Sequence, residues 1–143
     1  MKESIYQTPC GTIHYWLSIL SLDTTTLVFL PGLTADHRLF DKQVEYFVEK
    51  YNIIVWDAPA HASSWPFRFE FDLFDKAKWL NGILEKEEII KPIIIGQSMG
   101  GYVVPTRVRL SAICTSTYRR WASTCCPCPV ISSAVRAAPA CCM

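Results

Sequence analysis

An apolar run about two thirds of the way along the chain ends in a serine set between glycines. Residues 93–101 read Ile-Ile-Ile-Gly-Gln-Ser-Met-Gly-Gly. Because Gly96 and Gly100 lack Cβ atoms, neighbouring backbone can approach this turn closely. We therefore predict a buried strand, a sharp turn with Ser98 at its tip, and a helix that begins at Met99. An unpaired N–H at the start of that helix can donate to a developing oxyanion.

Two further apolar strands end in turn-forming loops. Residues 26–30, Thr-Leu-Val-Phe-Leu, predict a buried strand, and the Pro-Gly-Leu-Thr turn that follows can aim a backbone N–H outward. Residues 52–56 predict a third strand, which ends in a loop of small residues. Parallel strands end at one edge of a sheet, and ligands bind outside that edge. We therefore expect Ser98, Leu33 and His61 on one rim.

The segments between these strands have helical periodicity. Asp36 is placed to cap the first helix. Residues 4–18 predict a hairpin that turns near residues 9–11. Strands that alternate with amphipathic helices predict an α/β fold, with a mainly parallel sheet flanked by helices and an amino-terminal antiparallel hairpin. The apolar stripes of the two helices are Phe40, Val44, Phe47, Val48 and Tyr51, and Leu73, Ala77, Leu80 and Leu84.

The chain resembles the α/β-hydrolase family in three motifs that occur in family order and at family spacing. They are the strand followed by residues 31–33, the Asp-x-Pro-x-His-x-Ser loop at residues 57–63, and the elbow at residues 96–101. The resemblance covers roughly residues 4–104 and implies an incomplete α/β-hydrolase fold. Two departures from the family pattern are Pro31 in place of a His, and Ala60 and Ala62 in place of glycines.

The same resemblance implies roles for individual residues. Ser98 is the implied nucleophile, and the backbone amides of Leu33 and Met99 are the implied oxyanion hole. No cofactor and no metal ion are implied. The expected partner is a small-molecule substrate.

The acid and the base of the family triad have no counterpart in the expected order. The triad runs Ser, then Asp or Glu, then His, but no acidic residue follows Glu88 and no histidine follows His61. One remaining arrangement is His61 as a surrogate base oriented by Asp57. The alternative is that these loop residues anchor the turn through hydrogen bonds to backbone. His37 is interpreted as a residue that starts a helix or lines a pocket.

The composition changes near residue 104, which divides the chain into residues 1–104 and a tail, 105–143. All 13 acidic residues precede position 89, and the tail is rich in Cys, Arg, Ala and Pro. We predict an irregular tail. Three interpretations are a truncated or out-of-frame continuation, a zinc site, and an oxidised staple or thiol-rich tail that binds a partner. The cysteine pair at 141–142 lacks the x-x spacing of Cys125-x-x-Cys128, which argues against zinc.

Charge and hydropathy exclude several other classes of protein. The formal net charge is +1, which argues against nucleic-acid binding. The apolar run at residues 15–22 is shorter than the roughly 20 residues that a membrane span needs. With no signal pattern at the amino terminus, we expect cytoplasmic residence and no membrane partner. An unpaired edge on the elbow strand predicts non-specific self-association.

Two functions fit the sequence. The first is hydrolysis of a small ester, thioester or amide-like carbonyl substrate through an acyl-enzyme at Ser98, impaired by the missing acid and base. The alternative is a non-catalytic truncated fragment or binding module. Four aromatic residues either line an apolar pocket or pack their loop against the core; they are Trp65, Phe67, Phe69 and Phe71.

Overall fold

Six strands form one mixed sheet in the computed structural model, which describes residues 1–90, 92–103 and 112–116. The order across the sheet is β1-β2-β4-β3-β5-β6. Strands β4, β3, β5 and β6 are parallel, whereas β2 runs antiparallel to β1 and to β4. The predicted, mainly parallel sheet is therefore confirmed. The strands are β1 Lys2–Thr8, β2 Gly11–Ser18, β3 Thr26–Leu30, β4 Asn52–Trp56, β5 Ile93–Gln97 and β6 Ala112–Ser116.

Strands β1 and β2 form the predicted hairpin at one edge of the sheet. They are joined by residues 9–10, and Thr8 closes the turn: its Oγ1 donates to the carbonyl of Gly11 at 2.7 Å and accepts from the Gly11 N–H at 3.0 Å. The hairpin joins the parallel strands through β2, where Tyr15 lies opposite Trp56. It therefore covers the edge of β4.

In the part of the chain that the structure describes, three α-helices accompany the strands: α1 Asp41–Phe47, α2 Leu73–Lys86 and α3 Met99–Val103. A short 3-10 turn, His37–Phe40, precedes α1, and Asp36 caps it as predicted by accepting from the Arg38 N–H at 3.0 Å. Helix α2 begins with a capping box, in which the Asp72 side chain accepts from backbone N–H groups of the first turn. These caps satisfy donors that the helices cannot pair internally.

The two predicted helical stripes pack on opposite faces of the sheet. The α1 stripe, residues 40–51, covers Leu27, Phe29, Ile53 and Val55. On the other face, α2 covers a core that includes the alternate residues of the same strands. The exception is Leu73, which is 40% exposed, because the buried face of α2 begins with Lys76 and Ala77. The buried residues of α2 are Lys76, Ala77, Trp79, Leu80, Ile83 and Leu84.

Strand β6 lies in the segment that the sequence predicts to be an irregular tail. It pairs in parallel with β5, from Ile93 opposite Ala112 to Gln97 opposite Ser116. The expectation that β5 has an unpaired edge is therefore wrong, and so is the expectation of irregular structure for these five residues. A strand edge offers a row of backbone donors and acceptors, and pairing with it does not require a period-2 pattern in the added strand. The rest of residues 105–143 lies outside the described part, and the division at residue 104 stays a prediction.

The order of the strands places a crevice between β3 and β5. From β3 the chain passes through α1 to β4 on one side, and from β4 it passes through α2 to β5 on the other side of β3. The two helices consequently lie on opposite faces of the sheet. In open α/β sheets, ligands bind outside the carboxyl ends of the strands where the order reverses in this way. Here that point lies between Pro31, after β3, and Ser98, after β5.

The hydroxyl of Tyr15 joins the hairpin to the end of α2. It donates to Glu87 Oε1 at 2.5 Å and accepts from Lys86 Nζ at 3.0 Å and from Ser4 Oγ at 3.1 Å. Burial and the hydrogen bond to Glu87 raise the pKa of Tyr15 above its usual value near 10. A group whose pKa is higher in the folded state stabilises the fold below its unfolded pKa. That stabilisation is lost as the pH rises through the folded pKa.

We therefore expect part of the alkaline loss of stability to depend on Tyr15. Urea unfolding of wild type between about pH 8 and 11 is expected to show a midpoint that falls above about pH 10. In Tyr15→Phe this fall should be smaller. Tyr46→Phe, which removes the hydroxyl of a half-exposed tyrosine, should leave the fall unchanged. Equal slopes for Tyr15→Phe and wild type would contradict the expectation.

Candidate active site

Ser98 occupies the tip of the turn between β5 and α3. The strand ends at Gln97, the helix begins at Met99, and Ser98 is exposed between them. Its φ of 51° lies in the left-handed region, which is costly for a residue with a Cβ atom. Such conformations persist where the surrounding structure holds them, and they cluster at functional sites. The local geometry predicted from residues 93–101 is therefore present.

The glycines around Ser98 are required by close backbone contacts. A Cβ atom built on Gly100 would lie 2.1 Å from the carbonyl oxygen of Leu30, at the end of β3. One built on Gly96 would lie 2.5 Å from the backbone nitrogen of Gly101. Real Cβ atoms do not approach other atoms so closely, because van der Waals repulsion is already strong at that distance. The elbow is therefore packed directly on the backbone of β3.

The bend after β3 lies against the elbow. A Cβ atom on Gly32 would lie 3.1 Å from the Ser98 Cβ atom and 2.1 Å from Gln97 Oε1. Gly32 is buried, whereas the side chain of the next residue, Leu33, is 63% exposed. Thr34 follows with a φ of 66°. The structure thus brings Leu33 and Ser98 to the same rim, as the sequence predicts.

Asp57 connects the loop after β4 to the loop after β3. Its carboxylate is fully buried and accepts from three donors. The backbone N–H of His37 donates to Oδ1 at 2.8 Å, the His37 ring Nδ1 donates to the same oxygen at 2.9 Å, and the Ser63 N–H donates to Oδ2 at 3.0 Å. Both carboxylate oxygens are therefore engaged by partners other than His61.

The arrangement of His61 oriented by Asp57 is not formed. The His61 ring Nδ1 lies 2.9 Å from the carbonyl oxygen of Pro59, within its own loop. This matches the alternative in which the loop residues anchor their turn. The histidine that Asp57 orients is His37, at the first residue of the 3-10 turn. The prediction that His37 starts a helix fits its position.

Two contacts of this rim have no signal in the sequence. The His37 ring stacks on Trp16 of β2, with centroids 3.6 Å apart. Ser64 is buried, donates through Oγ to the Asp57 carbonyl at 2.8 Å and accepts from the His14 N–H at 2.9 Å. The Trp16–His37 and His14–Ser64 contacts join segments about 20 and 50 residues apart, which local patterns do not specify.

The four aromatic residues of the segment before α2 divide into two pairs. Phe67 is 5% exposed and packs with Phe71 against Trp79 of α2. Trp65 and Phe69 contact each other but are 58% and 72% exposed. Core packing therefore explains Phe67 and Phe71, and the exposed pair is the part of this segment that is open to a ligand.

One charged residue near the elbow was not singled out by the sequence. Lys76 of α2 is 6% exposed, and its Nζ donates to the Met99 sulfur at 3.3 Å. Burial lowers the pKa of this amine below its usual value near 10.5. Met99 directly follows Ser98, so this lysine contacts the side chain of the residue next to the candidate nucleophile.

The described residues hold no group of three or more His, Cys, Asp and Glu side chains placed to bind a metal ion. The cysteines considered for zinc, Cys125, Cys128 and the pair at 141–142, lie outside the described residues. Within the described ranges, none of the helices is both long and apolar enough to cross a bilayer.

Several proteins described as hydrolases are similar to this chain in sequence or in fold. An uncharacterized hydrolase of Bacillus subtilis (strain 168), YugF, is 33% identical over 79 residues, which is 54% of this chain and 29% of that protein. The crystal structure of MGS-M2, an alpha/beta hydrolase enzyme from a Medee basin deep-sea metagenome library, matches with a TM-score of 0.67 at 20% identity, over 78% of this chain and 43% of that one. A hydrolase from Pseudomonas aeruginosa PA01 gives the same TM-score at 18% identity, with 78% and 44% covered.

The chain spans less than half the length of each of these proteins. At such low identity the two solved structures establish the fold alone. The family model for the alpha/beta hydrolase fold matches residues 25–105, which is more than half of the chain and includes β3, β4, β5 and the turn at Ser98. On these grounds the chain is a member of the alpha/beta hydrolase fold family.

Proposed function

We propose that this chain carries the nucleophile half of a serine hydrolase site. The observation that carries the proposal is the conformation of Ser98, which is exposed at a strand-to-helix turn with a φ of 51°. The turn lies against the Gly32 bend, where a Cβ atom built on Gly32 would be 3.1 Å from the Ser98 Cβ atom. Family membership supports a hydrolase-type activity on a small molecule. The proposed substrates are small esters, thioesters and amide-like carbonyl compounds.

In the proposed reaction, the Ser98 Oγ attacks the substrate carbonyl carbon and forms a new C–O bond. Negative charge then develops on the carbonyl oxygen, where the backbone N–H groups of Leu33 and Met99 would donate to it. Collapse of the intermediate breaks the bond to the alcohol, thiol or amine, which leaves with the proton given up by the Ser98 hydroxyl, and an acyl-enzyme remains on Ser98. Water then releases the acid.

Proton transfer is the step for which the described residues offer least support. Asp57 is committed to His37 and Ser63, and His61 is held by its own loop. Without a placed base, the Ser98 hydroxyl is a weak nucleophile, although oxyanion donors alone retain part of the catalysis. We therefore propose that turnover by this chain is impaired.

The second candidate is a non-catalytic binding module that retains the same rim. The observation in its favour is that no acidic residue follows Glu88 and no histidine follows His61 in this sequence. Under either proposal the partner is a small molecule. Cytoplasmic residence stays a prediction of the sequence. Self-association was predicted from an unpaired edge on β5, and β6 pairs with that edge.

Covalent labelling with a fluorophosphonate separates the two candidates. We expect labelling of wild type, with the adduct on the peptide that contains Ser98, and loss of labelling in Ser98→Ala. Ser63→Ala, which alters an exposed serine on the neighbouring loop, is the matched control and should label like wild type. If folded wild type gives no adduct at Ser98, the nucleophile proposal is rejected and the binding module is favoured.

A further inference from the structure

Among the buried polar residues that the structure describes, Lys76 is the one whose side chain forms no hydrogen bond with an oxygen or nitrogen atom. Asn52, Asp57 and Ser64 each take part in several hydrogen bonds with oxygen or nitrogen atoms. Lys76 is 6% exposed, and its ammonium contacts a sulfur atom and an aromatic ring instead. Among the ion pairs of the described residues, none includes Lys76. Its burial is therefore not compensated by a carboxylate.

Burial of this ammonium carries a free-energy cost. A charge taken out of water without a paired charge is strongly disfavoured. The Phe71 ring partly offsets this cost through a cation–π contact, in which its centroid lies 5.3 Å from the Lys76 Nζ atom. A leucine at this position of α2 would pack against the core with no such penalty. The charge is thus costly for folding, which points to a role elsewhere.

The sulfur that Lys76 contacts belongs to the residue next to Ser98. Met99 is the first residue of α3, and its backbone N–H is one of those left unpaired at the start of a helix. A methionine side chain has three rotatable bonds and adopts many conformations when nothing holds it. The Nζ contact at 3.3 Å fixes one of them. The strained turn at Ser98 likewise needs surroundings that hold it.

We propose that Lys76 is a positioning residue that holds the Met99 side chain and thereby the Met99 backbone N–H at the elbow. This inference rests on the proposed function, in which that N–H donates to the oxyanion. Lys76 itself touches no reacting atom in this scheme. Its effect on the reaction passes through Met99.

The contact can be observed directly by NMR of the full chain with 13C-methyl methionine. The chain contains 3 methionines, and the other two are its first and last residues, so loss of one resonance in Met99→Leu assigns Met99. We expect that resonance to shift with pH as Lys76 deprotonates, below the usual value near 10.5. The shift should be absent in Lys76→Leu and present in Lys78→Leu, which alters an exposed lysine of the same helix. The other charged groups of this turn, Asp72 and Asp75, form the capping box of α2.

The role in positioning is tested by the rate of fluorophosphonate labelling at Ser98. Lys76→Leu is expected to slow labelling about tenfold, which is the change in rate that corresponds to the net strength of one ordinary hydrogen bond. Met99→Leu should slow it to a similar extent, and the double variant should be no slower than either single one, because both remove the same contact. Lys78→Leu should label at the wild-type rate. The urea midpoint of Lys76→Leu should equal or exceed that of wild type.

The outcomes separate this inference from the proposed function. Absence of labelling in wild type rejects the proposed function. A Met99 methyl resonance that does not respond to Lys76 rejects the positioning role, whatever the labelling shows. Additive losses in the double variant also overturn it, as does a slower rate that merely follows a lower urea midpoint.

Discussion

Gly100→Ala is expected to lower the free energy of unfolding by about 3 kcal/mol, at the high end for a substitution that overpacks a core. The added Cβ atom would lie 2.1 Å from the Leu30 carbonyl oxygen and 2.7 Å from its carbon. These are backbone atoms of a central strand, so α3 or β3 must move to relieve the clash. Urea unfolding measures the loss, and labelling of Ser98 should fall with it.

Gly82→Ala is the matched control for this substitution. A Cβ atom there would lie 2.0 Å from the hydroxyl oxygen of Tyr6, but that atom is the far end of a side chain that can rotate away. Alanine also favours the helix interior by about 1 kcal/mol over glycine. We expect a change close to zero for Gly82→Ala. If Gly82→Ala and Gly100→Ala lowered the free energy of unfolding by similar amounts, the backbone contact at Gly100 would not be the tighter of the two.

Asp57→Ala is the second substitution with a large expected effect, a loss of about 3 kcal/mol in the free energy of unfolding. The carboxylate is fully buried and accepts from two groups of His37 and from the Ser63 N–H. Removing it leaves those donors without their acceptor inside the protein. Urea or thermal unfolding, followed by the near-UV signal of Trp16 and its neighbours, would report the loss.

Asp36→Ala provides the comparison with a carboxylate near the surface. Asp36 pairs with Arg38, whose side chain is 73% exposed, and also caps the 3-10 turn. A loss of at most about 1 kcal/mol is expected there. Asp57→Asn, which keeps one acceptor oxygen, should fall between the two alanine variants. If Asp57→Ala lowered the free energy of unfolding by no more than Asp36→Ala does, the buried carboxylate would not be the group that joins the loops after β3 and β4.

The elbow was predictable because its determinants are local. Gly96, Ser98 and Gly100 lie within one turn of chain, and the strand and helix on either side have clear apolar patterns. The parallel strands and the helical stripes followed from periodicity for the same reason. The bend at Gly32 was expected beside Ser98, although the two are far apart in sequence, because parallel strands end at the same edge of a sheet.

The partners of Asp57 were not predictable in this way. The sequence suggests His61, four residues away, whereas the fold supplies His37, 20 residues away. Which histidine meets the carboxylate depends on how two loops meet at the end of the sheet. Strand β6 was not predictable for a similar reason. Its formation depends on the edge of β5, with which it pairs, more than on its own residues.

The sequence around Lys76 contains a local signal of its burial. It lies three residues after Leu73 and four before Leu80, and helical periodicity therefore puts it on the apolar face. A lysine is normally interpreted as part of the solvated face. Its position within the stripe, next to Ala77, was the available sign that this amine is buried.

The tight contact at Gly32 also bears on how this rim can vary. The bend meets the elbow at Gly32, which packs against Gln97 and the Ser98 Cβ atom, while the Leu33 side chain extends into solvent at 63% exposure. In the proposed site, the placement of the two amide donors is thus independent of what residue 33 carries. Substitutions at that position can reshape the entrance for a different acyl group and leave the reaction centre as it was.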